Sequence, residues 1–147
     1  MGILDSNKTP IYSVAGDPSS NSATAMAPTF TTAAADYTGA TATNNKLVFT
    51  AGANGGFIQR LRFKAIGTNT ASVARVFINN GAANTLATNN SFFGEISLPA
   101  TTISAVAATV EIDYPMNFAL PPAFTIYVGL GTTVAAGWVC TPIAGEY

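Results

Sequence analysis

From residue 46 onward, no window of this chain sustains the three-and-four apolar spacing of an amphipathic helix. Short runs that alternate with period two recur instead, separated by Gly, Pro and Asn. A helix without an apolar stripe has nothing to bury, so this pattern steers the chain toward stacked short strands. The clearest run is Phe57 to Ala65. Read as one regular strand, it sets Phe57, Leu61, Phe63 and Ala65 on one face, with Gln59 among them, and Ile58, Arg60, Arg62 and Lys64 on the other. Further strands are expected at Lys46 to Ala51, Val73 to Ile78, Phe92 to Leu98, Ala105 to Tyr114, Asn117 to Leu120, Phe124 to Leu130 and Gly137 to Pro142. Pro115 is expected to break the Ala105 run, because proline cannot donate to a ladder. Asn79-Asn80-Gly81 and Asp36-Tyr37-Thr38-Gly39 carry turn chemistry. About eight short strands with turns between them predict an all-β antiparallel sandwich.

The 147 residues suit one domain. Two textures divide it. Residues 1–45 read as an extended N-terminal arm rich in Ala, Thr, Ser, Asn and Pro, with apolar anchors that include Ile3, Leu4, Ile11 and Tyr12. Residues 46–147 read as the sandwich. The anchors predict that the arm docks on its own domain or on a neighbouring subunit, and the stretch Pro10 to Ala15 suits an added strand.

Charge is scarce. Asp, Glu, Lys and Arg make up 9% of the chain, against roughly 25% in an ordinary soluble domain. A lone monomer uses such charges to stay apart from its neighbours. Small polar side chains in their place suggest a surface covered by other protein. The formal net charge of −1 provides no field for nucleic acid. With no histidine and Cys140 as the single thiol, neither a Ser–His–Asp or Cys–His arrangement nor a zinc site can be assembled. No enzyme activity, cofactor or metal is expected. No basic segment followed by an apolar stretch opens the chain, and no apolar run reaches the length of a membrane-spanning helix. Synthesis in the cytoplasm, without a membrane partner, is the expectation.

Arg60, Arg62 and Lys64 hold half of the six positive charges on one strand face. They read either as a contact stripe for an acidic partner or as ion pairs with Glu111, Asp113 or Glu95 on neighbouring strands, and the second reading weighs more. Glu111 and Asp113 share a face, as carboxylates of a glycosidase or a calcium site do, but one Trp and no Asp-rich loop give little support to either. Gly52 to Gly56 and Gly129-Leu130-Gly131 read as turn glycines, because neither opens a helix or carries a phosphate-binding lysine. Trp138, Phe92 and Phe93 are the candidates for stacking on a sugar ring, with Trp138 read first as a core residue.

Several stretches resemble small proteins from the structural-gene clusters of tailed bacteriophages. They are Ile58-Gln59-Arg60-Leu61-Arg62-Phe63-Lys64-Ala65-Ile66-Gly67-Thr68-Asn69, Ala74-Arg75-Val76-Phe77-Ile78-Asn79-Asn80-Gly81, Glu95 to Thr102 and Leu130 to Trp138. The resemblance spans roughly the last 90 residues and lies in texture and order. It implies a jelly-roll or related β-sandwich that decorates the outer surface of a phage capsid, a cement protein. Such a protein is a homo-oligomer, dimer or trimer, bound to the major capsid protein of the virion and bracing neighbouring capsomers. The arm and the Arg60/Arg62/Lys64 stripe are then the candidate contacts. Another virion part (head fibre base, tail or baseplate protein) and a carbohydrate-binding module are the alternatives.

Overall fold

A computed structural model describes residues 11–15 as backbone and residues 27–34, 36–41 and 43–147 in full. Ile3 and Leu4 lie outside the described residues, as do the side chains of Ile11 and Tyr12. The described residues form nine strands: β1 (Ile11–Ala15), β2 (Thr29–Phe30), β3 (Lys46–Thr50), β4 (Gly56–Ala65), β5 (Ser72–Asn79), β6 (Asn90–Leu98), β7 (Glu111–Leu120), β8 (Thr125–Leu130) and β9 (Trp138–Glu146). One 3₁₀ turn, Ala87–Asn89, precedes β6.

The strands make two antiparallel sheets. One runs β1-β9-β4-β7, with β2 also paired to β9, and the other runs β3-β8-β5-β6. The pairs are nested: β1 with β9, β3 with β8, β4 with β7 and β5 with β6. A single long hairpin rolled over on itself gives this order, which is the jelly roll. Between the sheets lie Ile58, Leu61, Phe63, Leu98, Ile126, Val128, Leu130 and Trp138, none measurably exposed. Each contributes on the order of 1.5–3 kcal/mol by leaving water.

Three features depart from the regular alternation of the sequence. Both ladders of β4 shift register between Ile58 and Arg60. This bulge admits one extra residue and reverses the facing of everything before it. Ile58 therefore joins Leu61, Phe63 and Ala65 in the core, while Phe57, expected among them, is only half-buried. Second, Pro115 does not end a strand. β7 runs unbroken from Glu111 to Leu120, and Pro115 stands opposite Arg60. β7 is an edge strand, so a missing N–H on its outer side leaves no ladder bond unmade. The same strand begins at Glu111, and residues 105–110, expected within it, lie outside any strand.

Third, β9 continues past Pro142 to Glu146. The N–H of Cys140 bonds the Pro28 carbonyl on the β2 side, so by alternation Pro142 faces that side too. There the register with β2 stops at Val139 and the register with β1 begins at Ile143. Proline occupies a position where those ladders ask for no donor.

The described parts of the expected arm pack on the sandwich. β1 supplies its first strand, and Phe30 and Ala34 are each 1% exposed. Ala34 N–H bonds the Leu130 carbonyl at 2.7 Å, and Val134 N–H bonds that of Thr31 at 2.8 Å. This packing explains Gly129, which lies buried inside β8 and not in a turn. A Cβ there would collide with Asn45 Oδ1 and stand 2.8 Å from Ala34 Cβ.

Candidate interaction surface

The basic stripe is paired within the chain. β4 lies beside β7 with Arg62 opposite Asp113 and Lys64 opposite Glu111. Arg62 grips Asp113 with two bonds, Nε to Oδ1 at 2.8 Å and Nη2 to Oδ2 at 3.0 Å. Arg60 Nε stands 3.3 Å from the same carboxylate. Lys64 Nζ donates to Thr109 O at 2.7 Å and reaches Glu111 Oε1 at 3.5 Å. Glu95, the third acidic candidate, lies on the other sheet and stands 3.6 Å from Arg75 Nε. Arg75 in turn bonds Ala34 O at 3.1 Å and lies 4.0 Å from the centre of the Tyr37 ring. The three cations of the stripe share two carboxylates, Asp113 and Glu111, so most of its charge is paired within the chain and one positive charge is left unmatched by them.

The pairing gives the chain an acid-sensitive limb. The Arg62 bonds hold the Asp113 carboxyl below its usual value, against a smaller opposing effect of burial. A bond from the Thr41 hydroxyl, helped by Thr38 and Gly39, does the same for Asp36. A carboxyl lowered in the fold contributes stability above its unfolded value and loses it as pH falls through the folded one. Melting temperature is therefore expected to stay flat between about pH 5 and 8, where no histidine titrates, and to drop below about pH 4. Asp113→Asn should shrink that drop and cost less than about 1 kcal/mol at neutral pH, since the pair is exposed. Melting curves against pH check this. A drop of the same size in the variant would mean that the pair is not coupled to folding.

The other candidates resolve as packing. Trp138 is fully buried between Phe30 of β2 and Ala65 of β4, so it offers no face to a sugar. Phe92 and Phe93 are the exception: they make ring contacts, Phe92 with Tyr37 and Phe77 and Phe93 with Tyr114 and Phe118, yet stand 42% and 39% exposed. Cys140 is buried, and burial pushes its thiol far above the ordinary range, which removes the thiolate that reactivity needs. Glu111 and Asp113 are held by arginines. No group of three metal-ligating side chains occurs among the described residues.

What the sequence reading missed lies at one end of the sandwich, where the β4–β5, β6–β7 and β8–β9 connections meet. Asn69, 4% exposed, ties them together. Its amide donates to Gly67 O at 3.2 Å and Gly137 O at 2.9 Å, and its oxygen accepts from Ala136 N at 2.9 Å and Gly137 N at 2.8 Å. Its backbone exchanges a pair of bonds with Thr101 at 3.0 and 2.9 Å. Every donor and acceptor of the amide is used. Gly137 follows the turn with φ +107, a conformation closed to most side chains. On this anchored base stand Ile66, Ile103, Val106 and Val110, exposed to 52%, 55%, 96% and 47%. Residues 65–74, 96–110 and 130–137 contain no charged residue. Exposed apolar side chains gathered on an uncharged surface mark a contact region.

The chain matches no protein-family model, no curated protein and no solved structure. The chain is defined by its architecture: a jelly-roll sandwich with most of its face charges in ion pairs and uncharged loops at one end that expose apolar side chains.

Proposed function

We propose that this chain is a structural, non-enzymatic virion protein that decorates the outer surface of a tailed-phage head, binds the major capsid protein and bridges neighbouring capsomers. One observation carries the reading: most of the charges on the sandwich faces stand in ion pairs within the chain, while apolar side chains stand exposed on uncharged loops. The uncharged loops lose little on being covered, because no ion there has to be stripped of water. Repetition on a lattice then makes modest contacts durable, since each bound site raises the effective concentration at the next. The resemblance to phage structural proteins points the same way. The carbohydrate-binding alternative loses Trp138 to the core and is left with Phe92 and Phe93, which stay exposed.

The test is imaging of the phage particle by cryo-electron microscopy, with mass spectrometry of the same preparation. The jelly roll should appear outside the shell, at junctions between capsomers. Density in the tail or baseplate would move the chain to another structural role, and its absence from purified particles would end the proposal.

A further inference from the structure

An asparagine followed by glycine is open to attack by the next backbone nitrogen on its own side chain, because glycine leaves that nitrogen unshielded. The chain has two such pairs, Asn54-Gly55 and Asn80-Gly81, and the fold treats them differently. Gly55 is buried in the β3–β4 turn. Its N–H bonds Gly52 O at 3.0 Å, and a Cβ on it would stand 2.7 Å from Leu120 O. The Asn54 amide reaches toward Tyr147 O, at 3.5 Å.

Asn80, Gly81 and Ala82 are all exposed, in the loop that follows β5. Asn80 Oδ1 accepts the Ala82 N–H at 3.0 Å. That bond closes an Asx turn, which folds the side chain back and sets its carbonyl carbon beside the Gly81 nitrogen. The same N–H polarises the Asn80 carbonyl and is already in place to hold its oxygen as negative charge develops there. One contact restrains the attack: Gly81 N–H donates to Asn79 Oδ1 at 2.8 Å. Gly81 lies at the surface, where water takes over that hydrogen whenever the bond opens. Gly55 is buried and has no such exchange open to it.

We propose that Asn80 is a site of spontaneous deamidation and isomerisation, and that it reacts ahead of Asn54. Hydroxide removes the Gly81 amide proton. The nitrogen then bonds to Asn80 Cγ, the carbonyl electron pair moves onto Oδ1, and the Ala82 N–H holds that charge. As the carbonyl re-forms, the Cγ–Nδ2 bond breaks; Nδ2 takes a proton from water and leaves as ammonia. Water then opens the cyclic imide at either carbonyl. One opening gives aspartate. The other gives isoaspartate, in which the main chain runs through the former side chain and gains a methylene. Either product places a carboxylate within residues 76–94, which contain no charged residue. Asn80 Nδ2 donates toward Asn89 Oδ1 at 3.5 Å, and a carboxylate has no hydrogen to offer there, so this tie across the loop is lost. The reaction needs no capsid and does not depend on the proposed role.

The experiment incubates the full folded chain in mildly alkaline buffer and follows both pairs by peptide mapping, with isoaspartate detected by enzymatic methylation. Asn80 should convert about three- to tenfold faster than Asn54, the range that one added hydrogen bond gives. In guanidinium chloride the two rates should converge. Ala82→Pro, which removes the N–H on Oδ1, should slow Asn80 by a similar factor, with circular dichroism showing the sandwich intact. Ala82→Gly, which keeps that N–H, should not slow it. Equal rates in the folded wild type, or an Asn54 that converts first, would overturn the proposal whatever the variants do. An Ala82→Pro chain that converts as fast as the wild type would overturn it too.

Discussion

Trp138→Ala is expected to cost about 4 kcal/mol, the value for emptying a large aromatic from a core. Trp138 is wholly buried at the start of β9, with Phe30 across from it on β2 and Ala65 on β4. Its loss would therefore loosen the seam where β2 joins β9 at the edge of its sheet. Native domains are stable by only about 5–15 kcal/mol, so the variant should sit near its folding threshold. Trp138→Phe should cost less than half as much. It retains most of the buried ring, and it removes an indole N–H that finds no acceptor among the described residues. Denaturant unfolding of the wild type, followed by the emission of this single tryptophan, sets the reference; circular dichroism serves for the variants. An unchanged unfolding midpoint in Trp138→Ala would mean that the ring is not a core residue, and would reopen the sugar-stacking reading.

The sandwich was legible because alternation and turn residues are local signals, and most of the strand centres depend only on them. What failed depends on neighbours. Nothing in Phe57 to Ala65 shows on which side of Gln59 the register slips; a polar residue among the apolar ones was the sole trace of the bulge. The expectation that Pro115 breaks a strand rests on a rule for central strands, whereas Pro115 lies on an edge; β9 runs on past Pro142 because that residue faces a gap between two partners. Residues 105–110 have the pattern of a strand but extend past the end of β4, and the length of a neighbour cannot be read from the run itself. The basic stripe shows the same limit. Alternation placed Arg60, Arg62 and Lys64 together, and the adjacency of β4 and β7 decided that Asp113 and Glu111, and not Glu95, would hold them. Phe30 and Ala34 lay in a stretch read as arm, since two isolated anchors in a polar context do not reveal a core.

Asn69→Ala is the second large effect, and it joins stability to the candidate contact surface. In sequence, Gly67 to Thr70 is one turn among several. In the fold, the Asn69 side chain reaches across to Ala136 and Gly137 while its backbone holds Thr101. Truncation strands two backbone N–H groups, those of Ala136 and Gly137, where little water can replace the lost acceptor. The Gly137 and Gly67 carbonyls keep other donors, Ile66 N and Thr101 Oγ1. An orphaned buried donor costs about 1–3 kcal/mol, so the variant should lose about 3 kcal/mol, or roughly 10 °C in melting temperature for a chain of this size. Asn69→Asp supplies a sharper control. It keeps both acceptors but turns a carboxylate toward two carbonyl oxygens, which raises its folded pKa above the unfolded value. The stability conferred by the protonated acid is then lost as pH rises, so the deficit of Asn69→Asp should narrow on acidification while that of Asn69→Ala does not. Hydrogen exchange should also show the amides of residue 69 and Thr101 opening in both variants while the central strands β4 and β8 stay protected. If Asn69→Ala melts with the wild type, or if those residues exchange no faster, the three connections are held by something other than this amide, and the base on which Ile103, Val106 and Val110 stand is not the rigid one described.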